Sequence, residues 1–228
     1  LDAPGQLHSV SVLAADPGSS AMAEEAAAYR LNHARAEEVY LMRPDLVLAG
    51  RFTDRATVEM LRRLDVPVTV LDPAYSLQDV RARIREAGAA LGRDAAAERL
   101  LARFDARLDA LSTVGPGDGT TRGRAALYYA NGYTSGERSL AGDILDAAGY
   151  ANVAAALGIA TGGHLPLERL ALADPDLLVT GRRYRGASRA EEILDHPVID
   201  ALRADRRTGT VADRDWICGT PHVLRAIE

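Results

Sequence analysis

The apolar and polar positions of the first 71 residues alternate between patterns typical of strands and patterns typical of helices. Residues 7–13 and 66–71 are apolar and rich in β-branched side chains, which favours strands, and residues 56–64 place apolar side chains at helical spacing. A buried strand is predicted at 45–50, and short helices are predicted at 21–29 and 35–42. Short uninterrupted apolar strands are typical of parallel sheets covered on both faces. This order of elements predicts βαβ units.

A longer helical region follows, from residue 76 to residue 111. Its apolar side chains form two stripes at helical spacing, and Gly92 and Asp94 between them are suited to end one helix and begin the next. The second helix, at about 93–113, would be roughly 28 Å long at about 1.5 Å per residue, which is enough to cross a whole lobe. The Gly- and Pro-rich segment 114–123 is predicted to be a loop.

The second half of the chain repeats this alternation. Strands are predicted at 124–130, 176–181 and 208–216, and helices at 139–149 and 166–173. Pro166 suits the first turn of its helix, where a missing backbone N–H costs nothing. The whole chain is therefore predicted to be an α/β protein.

One sequence pattern occurs twice. Residues 37–50 read EEVYLMRPDLVLAG and residues 168–181 read ERLALADPDLLVTG, so Glu, Leu, Pro, Asp, Leu and Gly recur at the same spacing. A separation this long is not a solenoid period, which is a few tens of residues. The repeat predicts two similar lobes, at 1–92 and 120–228, joined by the linking helix at 93–113. We expect the ligand site between the lobes.

Composition and charge fit a mildly acidic, soluble globular protein. The 228 residues are 47% hydrophobic and 26% charged, with a net charge of -5 and a pI near 5.6. The sequence therefore lacks the basic character used to bind nucleic acid, and no apolar run approaches the roughly 18 to 20 residues that span a bilayer. Cys218 stands alone, which excludes an internal disulfide and a cysteine-ligated metal cluster.

Motifs for catalysis or nucleotide binding are absent from the sequence. No GxGxxG follows a predicted strand, and neither a Walker loop nor a nucleophile motif is present. We therefore expect neither an enzyme nor a resident cofactor. The histidines lack close metal-ligand spacing, although histidines and carboxylates from distant loops can bind bare zinc or manganese. The five are His8, His33, His164, His196 and His222.

Three motifs carry a family resemblance. The repeat, the Leu-Gly-x-Asp helix junction at 91–94 and the Gly-Tyr-Thr-Ser-Gly segment at 132–136 resemble the substrate-binding proteins of ABC importers for metal chelates. Cobalamin- and ferric-siderophore-binding proteins are the best-known members. The resemblance covers nearly the whole chain and implies two Rossmann-like lobes with mostly parallel sheets, bridged by a single long helix. It also implies an exported, periplasmic monomer that delivers its ligand to a permease, and a further strand and helix before Leu1.

The resemblance assigns two acidic residues to permease docking. Relatives present one Glu in each lobe, near the start of the helix before the Pro-Asp-Leu strand, and these dock against Arg residues of the permease. The matching residues are Glu37 and Glu168. Alternatively, each is a solvated carboxylate that the helix macrodipole stabilises. Their equivalent placement in the two repeats favours docking.

Ligand-binding candidates follow the predicted strands, because ligands of open α/β folds bind beyond the carboxyl ends of the strands. Arg51 and Phe52 follow the strand of the first repeat. Arg182, Arg183 and Tyr184 follow the strand of the second, where a solvated loop is the alternative interpretation.

The resemblance adds aromatic and imidazole candidates. Tyr133 matches an aromatic residue that contacts the ligand in cobalamin-binding relatives. His164 lies in a Gly-His-Leu-Pro segment that we expect near the same cleft, and Tyr29 is a further candidate. Trp216 is instead predicted to pack at the edge of the last strand.

Arginines near the strand ends favour an anionic ferric siderophore as the ligand. The aromatic content of 5% argues against a cage of several aromatic rings around a corrin, so cobalamin is the alternative. Bare zinc or manganese, or haem, is less favoured. An enzyme subunit that holds a metallocluster in the same two-lobe fold would need several cysteine ligands, and the chain has one.

Overall fold

The computed structural model describes residues 1, 3–112, 121–181 and 188–228. The chain forms two compact units, the first from Leu1–Ala74 with Gln78–Arg103 and the second from Tyr75–Leu77 with Phe104–Glu228. Both units combine helices with strands that pair mostly in parallel. The α/β fold class predicted from the sequence is therefore confirmed.

The first unit contains two parallel strand pairs. β1 (Ser9–Ser11) pairs with β2 (Arg30–Asn32), and β3 (Val47–Gly50) pairs with β4 (Val68–Leu71). The intervening helices are α1 (Ala23–Ala26), α2 (Ala36–Tyr40) and α3 (Arg55–Arg63). Ala36 of α2 and Leu61 of α3 are buried together and pack against valines of β3 and β4. This core fixes the position of α2, which carries Glu37.

Two longer helices follow, α4 (Leu77–Ala90) and α5 (Asp94–Ser112). Gly92 between them has a φ of +63°, a left-handed conformation that glycine adopts without strain. Gly88 lets the helices approach closely, because a Cβ added there would lie 2.5 Å from the Cβ of Ala97. α5 belongs to the first unit up to Arg103 and to the second unit from Phe104 onward.

A four-stranded parallel sheet forms the centre of the second unit. Its strand order is β10-β9-β5-β7, from β5 (Arg124–Tyr128), β7 (Ala151–Asn152), β9 (Leu177–Gly181) and β10 (Arg207–Val211). A separate antiparallel pair consists of β6 (Tyr133–Ser135) and β8 (Gly162–His164). The helices are α6 (Leu140–Ala147), α7 (Val153–Ala156), α8 (Leu167–Ala173), α9 (Pro197–Asp205), α10 (Asp213–Trp216) and α11 (Leu224–Ile227).

Helices cover both faces of this sheet. Successive residues of a strand point to opposite faces, and here Leu127 and Val179 pack against α6 while Ala126 and Leu178 pack in a second cluster with α8 and α9. The strand predicted to be buried at 176–181 is therefore covered on both faces. The strand predicted to be buried at 45–50 is not, because Leu48 and Gly50 of β3 are exposed. Of the helices in the described ranges, none is both long enough and apolar enough to cross a membrane.

Several predicted elements differ in the structure. The strand predicted at 7–13 is only β1, because the chain continues as a 3₁₀ helix at Val12–Ala15. The strand predicted at 208–216 ends at Val211, and two acidic residues in the first turn favour the short helix α10 after it. Pro166 is the N-cap of α8, with extended backbone angles, and not a residue of its first turn.

Candidate functional site

Tyr133 and His164 are directly opposite each other in the antiparallel pair of β6 and β8. Tyr133 is 50% exposed and His164 is also exposed. Opposite residues on antiparallel strands have Cβ atoms about 4.5–5.5 Å apart and project from the same face. The phenol and the imidazole can therefore contact one bound molecule.

Two glycines permit this arrangement. A Cβ at Gly162 would overlap the Tyr133 hydroxyl. Gly132 has a φ of +66°, and a Cβ there would lie 3.2 Å from His164 Nε2 and 3.0 Å from the Tyr128 hydroxyl. The imidazole and the buried phenol of Tyr128 thus lie around the same glycine. Both residues were expected near one cleft, but their pairing across β6 and β8 was not predicted from the sequence.

A second aromatic pair lies close to Tyr133. Tyr129 stacks on Trp216 with ring centroids 5.2 Å apart and an interplanar angle of 18°. The Tyr129 backbone N–H donates to the Tyr133 carbonyl at 2.8 Å, so the stack and the candidate ligand residue are joined through the backbone. Trp216 therefore packs, as predicted, although it does so in α10 and not at the edge of a strand.

The Tyr129–Trp216 stack borders a cavity of about 310 Å³ in the second unit. The cavity wall is apolar along the sheet, and its charged lining includes Arg122, Asp215 and Arg225. The Asp215 carboxylate lies 3.6 Å from the Arg225 guanidinium. Ligand pockets usually enclose about 300–1,000 Å³, so this cavity is at the small end of that range.

Burial raises the pKa of two phenols in this region. It raises the pKa of Tyr129, and the charges of Asp213 and Tyr133 raise that pKa further. Burial also raises the pKa of Tyr128, and the carboxylate of Glu168 adds to the rise. Because an ordinary phenol titrates near pH 10, both groups are neutral hydrogen-bond donors at neutral pH.

The candidates of the first unit lie at strand boundaries. Arg51 follows β3, and its Nε lies 2.7 Å from Asp72 Oδ1 in an exposed ion pair. Phe52 is 84% exposed, which makes it one of the most exposed apolar side chains in the described ranges. Tyr29 is exposed directly before β2. Arg51 therefore offers a guanidinium whose charge is partly balanced by Asp72, while the two aromatic rings face solvent.

The ligand-binding candidates that follow β9 in the second unit have no described position. Arg182, Arg183 and Tyr184 lie outside the described residues, which stop at Gly181 and resume at Ser188.

Glu37 and Glu168 occupy equivalent positions in the first turns of α2 and α8. Both side chains are exposed, and neither forms an ion pair within the part of the chain that the structure describes. The adjacent Glu38 differs, because it accepts a hydrogen bond from the His33 backbone N–H at 2.7 Å, and this bond lowers its pKa. Glu37 and Glu168 thus present exposed carboxylates to solvent.

Two further observations concern side chains that could bind a metal ion. Within the described ranges, no three His, Cys, Asp or Glu side chains are grouped so that they could hold a metal ion. The Asp143 carboxylate accepts a hydrogen bond from the Leu77 backbone N–H at 2.8 Å and so serves a structural contact. Cys218, the single cysteine of the sequence, is exposed.

A sequence profile of the periplasmic binding protein family matches residues 2–212, which is nearly the whole chain. The chain belongs to this family. The periplasmic binding protein fold is supported by a solved structure described as a possible iron-binding (periplasmic solute-binding) protein from Staphylococcus epidermidis. The TM-score is 0.75 at 18% identity, over 96% of this chain and 86% of that one.

Two further relatives of this periplasmic binding protein have higher sequence identity. A cobalamin-binding protein of Halobacterium salinarum is 32% identical over 146 residues, which is 64% of this chain but only 40% of the length of that protein. A structure from Saccharomonospora viridis, described as an ABC-type Fe³⁺-hydroxamate transport system, is 25% identical. It covers 85% of this chain and 69% of that one, with a TM-score of 0.60.

Proposed function

We propose that this protein is the extracytoplasmic substrate-binding component of an ABC importer and that it captures a metal chelate for delivery to the permease. Membership of the periplasmic binding protein family supports the functional class. The observation that carries the ligand proposal is the exposed pair of Tyr133 and His164 on one face of the β6–β8 ribbon. An aromatic face beside an imidazole suits a bulky ligand with apolar surface and polar edges.

A ferric siderophore is the ligand class that we favour. Arginine forms strong, often bidentate hydrogen bonds to anionic oxygens, and Arg51 follows β3 while Arg182 and Arg183 follow β9 in the sequence. The relative from Saccharomonospora viridis, which is described as an Fe³⁺-hydroxamate transport system, supports the same class. Cobalamin is the second candidate, because the Halobacterium salinarum relative is a cobalamin-binding protein.

Calorimetric titration of the full-length protein tests this proposal. The ligands are a ferric trihydroxamate, cyanocobalamin, haem and the free ions of zinc and manganese. We expect the trihydroxamate to bind with a Kd of roughly 1 μM or lower. Tight binding of cyanocobalamin alone would move the assignment to the second candidate. Binding of a bare metal ion, with every chelate failing, would overturn the chelate proposal.

The contribution of Tyr133 is tested by Tyr133→Ala. If the ring packs on the chelate, its loss should weaken binding by about 1 to 3 kcal/mol. Tyr40→Ala is the matched control, because Tyr40 is a similarly exposed tyrosine on α2, which carries Glu37. Equal chelate affinities of the two variants would remove Tyr133 from the ligand site.

We further propose that Glu37 and Glu168 dock on the permease. Exposed ion pairs contribute only about 0 to 1 kcal/mol each, so the two carboxylates orient the partner more than they hold it. Glu37→Arg with Glu168→Arg should abolish uptake and leave chelate binding in solution intact. Glu24→Arg with Glu192→Arg imposes the same change in net charge on exposed residues outside the repeat and serves as the control. Uptake at the wild-type rate by the first variant would refute the docking role.

A further inference from the structure

The repeat places one leucine of each unit on the surface. Leu41 is 78% exposed and Leu172 is 86% exposed. They are the same position of the repeat, four residues after Glu37 and Glu168. Single exposed leucines are common and need no explanation. The same exposure at the same position of both copies is the feature to be explained.

Helical geometry puts each leucine beside its glutamate. Residues four apart on a helix are neighbours on one face, with Cβ atoms about 5–6 Å apart. The Leu41 N–H donates to the Glu37 carbonyl at 3.1 Å, so the turn that joins them is helical. Glu168 and Leu172 both lie inside α8. Each unit therefore presents one carboxylate and one apolar side chain together, and we call these two sets the acid–leucine pairs.

Neither leucine is needed for the core. The buried apolar residues at the corresponding helices are Ala36 and Met42 in the first unit and Leu170 in the second. Ala36 and Leu170 belong to the core clusters on the inner faces of α2 and α8. Leu41 and Leu172 project away from those faces, so their apolar surface is available to a partner.

We propose that the two acid–leucine pairs form the docking surface for the permease, with each leucine entering an apolar depression beside a basic group. This inference rests on the proposed role in import. Charge complementarity selects the partner, because Glu37 and Glu168 carry charges that no described residue pairs. Because each unit presents the same carboxylate and leucine, the two pairs fit a partner that has two equivalent binding sites. The carboxylates orient the encounter, and the leucines supply affinity that salt does not screen.

The test measures the affinity of the full-length protein for the importer complex in lipid nanodiscs. The salt concentration is varied from about 50 to about 500 mM, because the Debye length shortens several-fold over this range. Leu41→Ser with Leu172→Ser should weaken binding about 10- to 100-fold, by a similar factor at every salt concentration. Glu37→Gln with Glu168→Gln should weaken binding mainly at low salt. Leu13→Ser with Ile217→Ser is the control, since it removes one exposed apolar side chain from each unit outside the repeat. The control should bind as the wild type does.

Three results would overturn the inference. The leucine variant could bind the importer as tightly as the wild type while the glutamine variant binds more weakly. That result would exclude the leucines from the docking surface but leave permease docking through the glutamates in place. Failure of the wild-type protein to bind the importer complex would remove both proposals. The wild-type protein could also self-associate in sedimentation experiments. If the leucine variant lost this self-association but kept its affinity for the importer, the acid–leucine pairs would be assigned to contact with a second copy of this chain.

Discussion

At the scale of single residues, different contacts align the strands of the two repeat copies. The Asp176 carboxylate accepts the Arg124 N–H at 2.7 Å, and its own N–H donates to the Arg124 carbonyl at 2.9 Å, which aligns the start of β9 with β5. In the first copy, the Val47 N–H donates to the Pro67 carbonyl at 2.9 Å and aligns β3 with β4 through the backbone. The repeat predicted the start of each strand to within two residues, but not the contact that aligns the strand with its neighbour.

Gly162→Ala should weaken chelate binding with little loss of stability. The added methyl group overlaps the Tyr133 hydroxyl, and this half-exposed ring can rotate away at small cost. We expect the free energy of unfolding to change by less than about 1 kcal/mol in urea titrations. Chelate affinity measured by calorimetry should fall about as much as in Tyr133→Ala, because the ring has left its position.

Gly163→Ala is the matched control for Gly162→Ala. A Cβ at Gly163 would meet only a methyl group of Ile159 at 3.5 Å, an ordinary contact distance. This variant should bind the chelate as the wild type does. Unchanged affinity in Gly162→Ala would show that the position of the Tyr133 ring does not govern binding.

At the scale of elements, long periodic patterns were predictable and short paired segments were not. The apolar spacing of α3, α5 and β9 reflects burial along the whole element, so the sequence alone indicates it. β6 and β8 have three residues each, and β8 contains two glycines, so they exist only because they pair with each other. The pairing of Tyr133 with His164 is a property of that register, and no spacing in the sequence encodes it.

The packing of α4 against α5 gives a prediction for a whole element. Gly88→Leu should destabilise the first unit by roughly 1 to 3 kcal/mol, because even a Cβ at Gly88 lies 2.5 Å from the Cβ of Ala97 and the helices must separate. Ala89→Leu is the control, since Ala89 is the next residue of α4 and is exposed. Its effect should stay within about 0.5 kcal/mol in thermal or urea unfolding. Equal stabilities of the two variants would contradict close packing at this junction.

At the scale of the whole molecule, the basic residues are all arginine, and the sequence contains no lysine. Arginine stays charged at every accessible pH. In the unfolded chain, the side chains that lose a proton in alkaline solution are therefore the tyrosines and Cys218. Because the sequence contains no lysine, the change in the free energy of unfolding at alkaline pH depends chiefly on buried phenols.

Stability should fall as the pH rises above about 10, because burial raises the pKa of both Tyr128 and Tyr129 in the folded protein. The folded state keeps protons that the unfolded state loses there, so the stabilisation is complete below the unfolded pKa. It is then lost by up to roughly 1.4 kcal/mol per pH unit for each phenol. Urea unfolding from pH 8 to pH 11.5, in a Cys218→Ser background, measures this slope. Tyr129→Phe should flatten the slope, and Tyr40→Phe sets the baseline for removing an exposed phenol. A slope in Tyr129→Phe as steep as in its parent would show that Tyr129 is not the phenol held protonated by the fold.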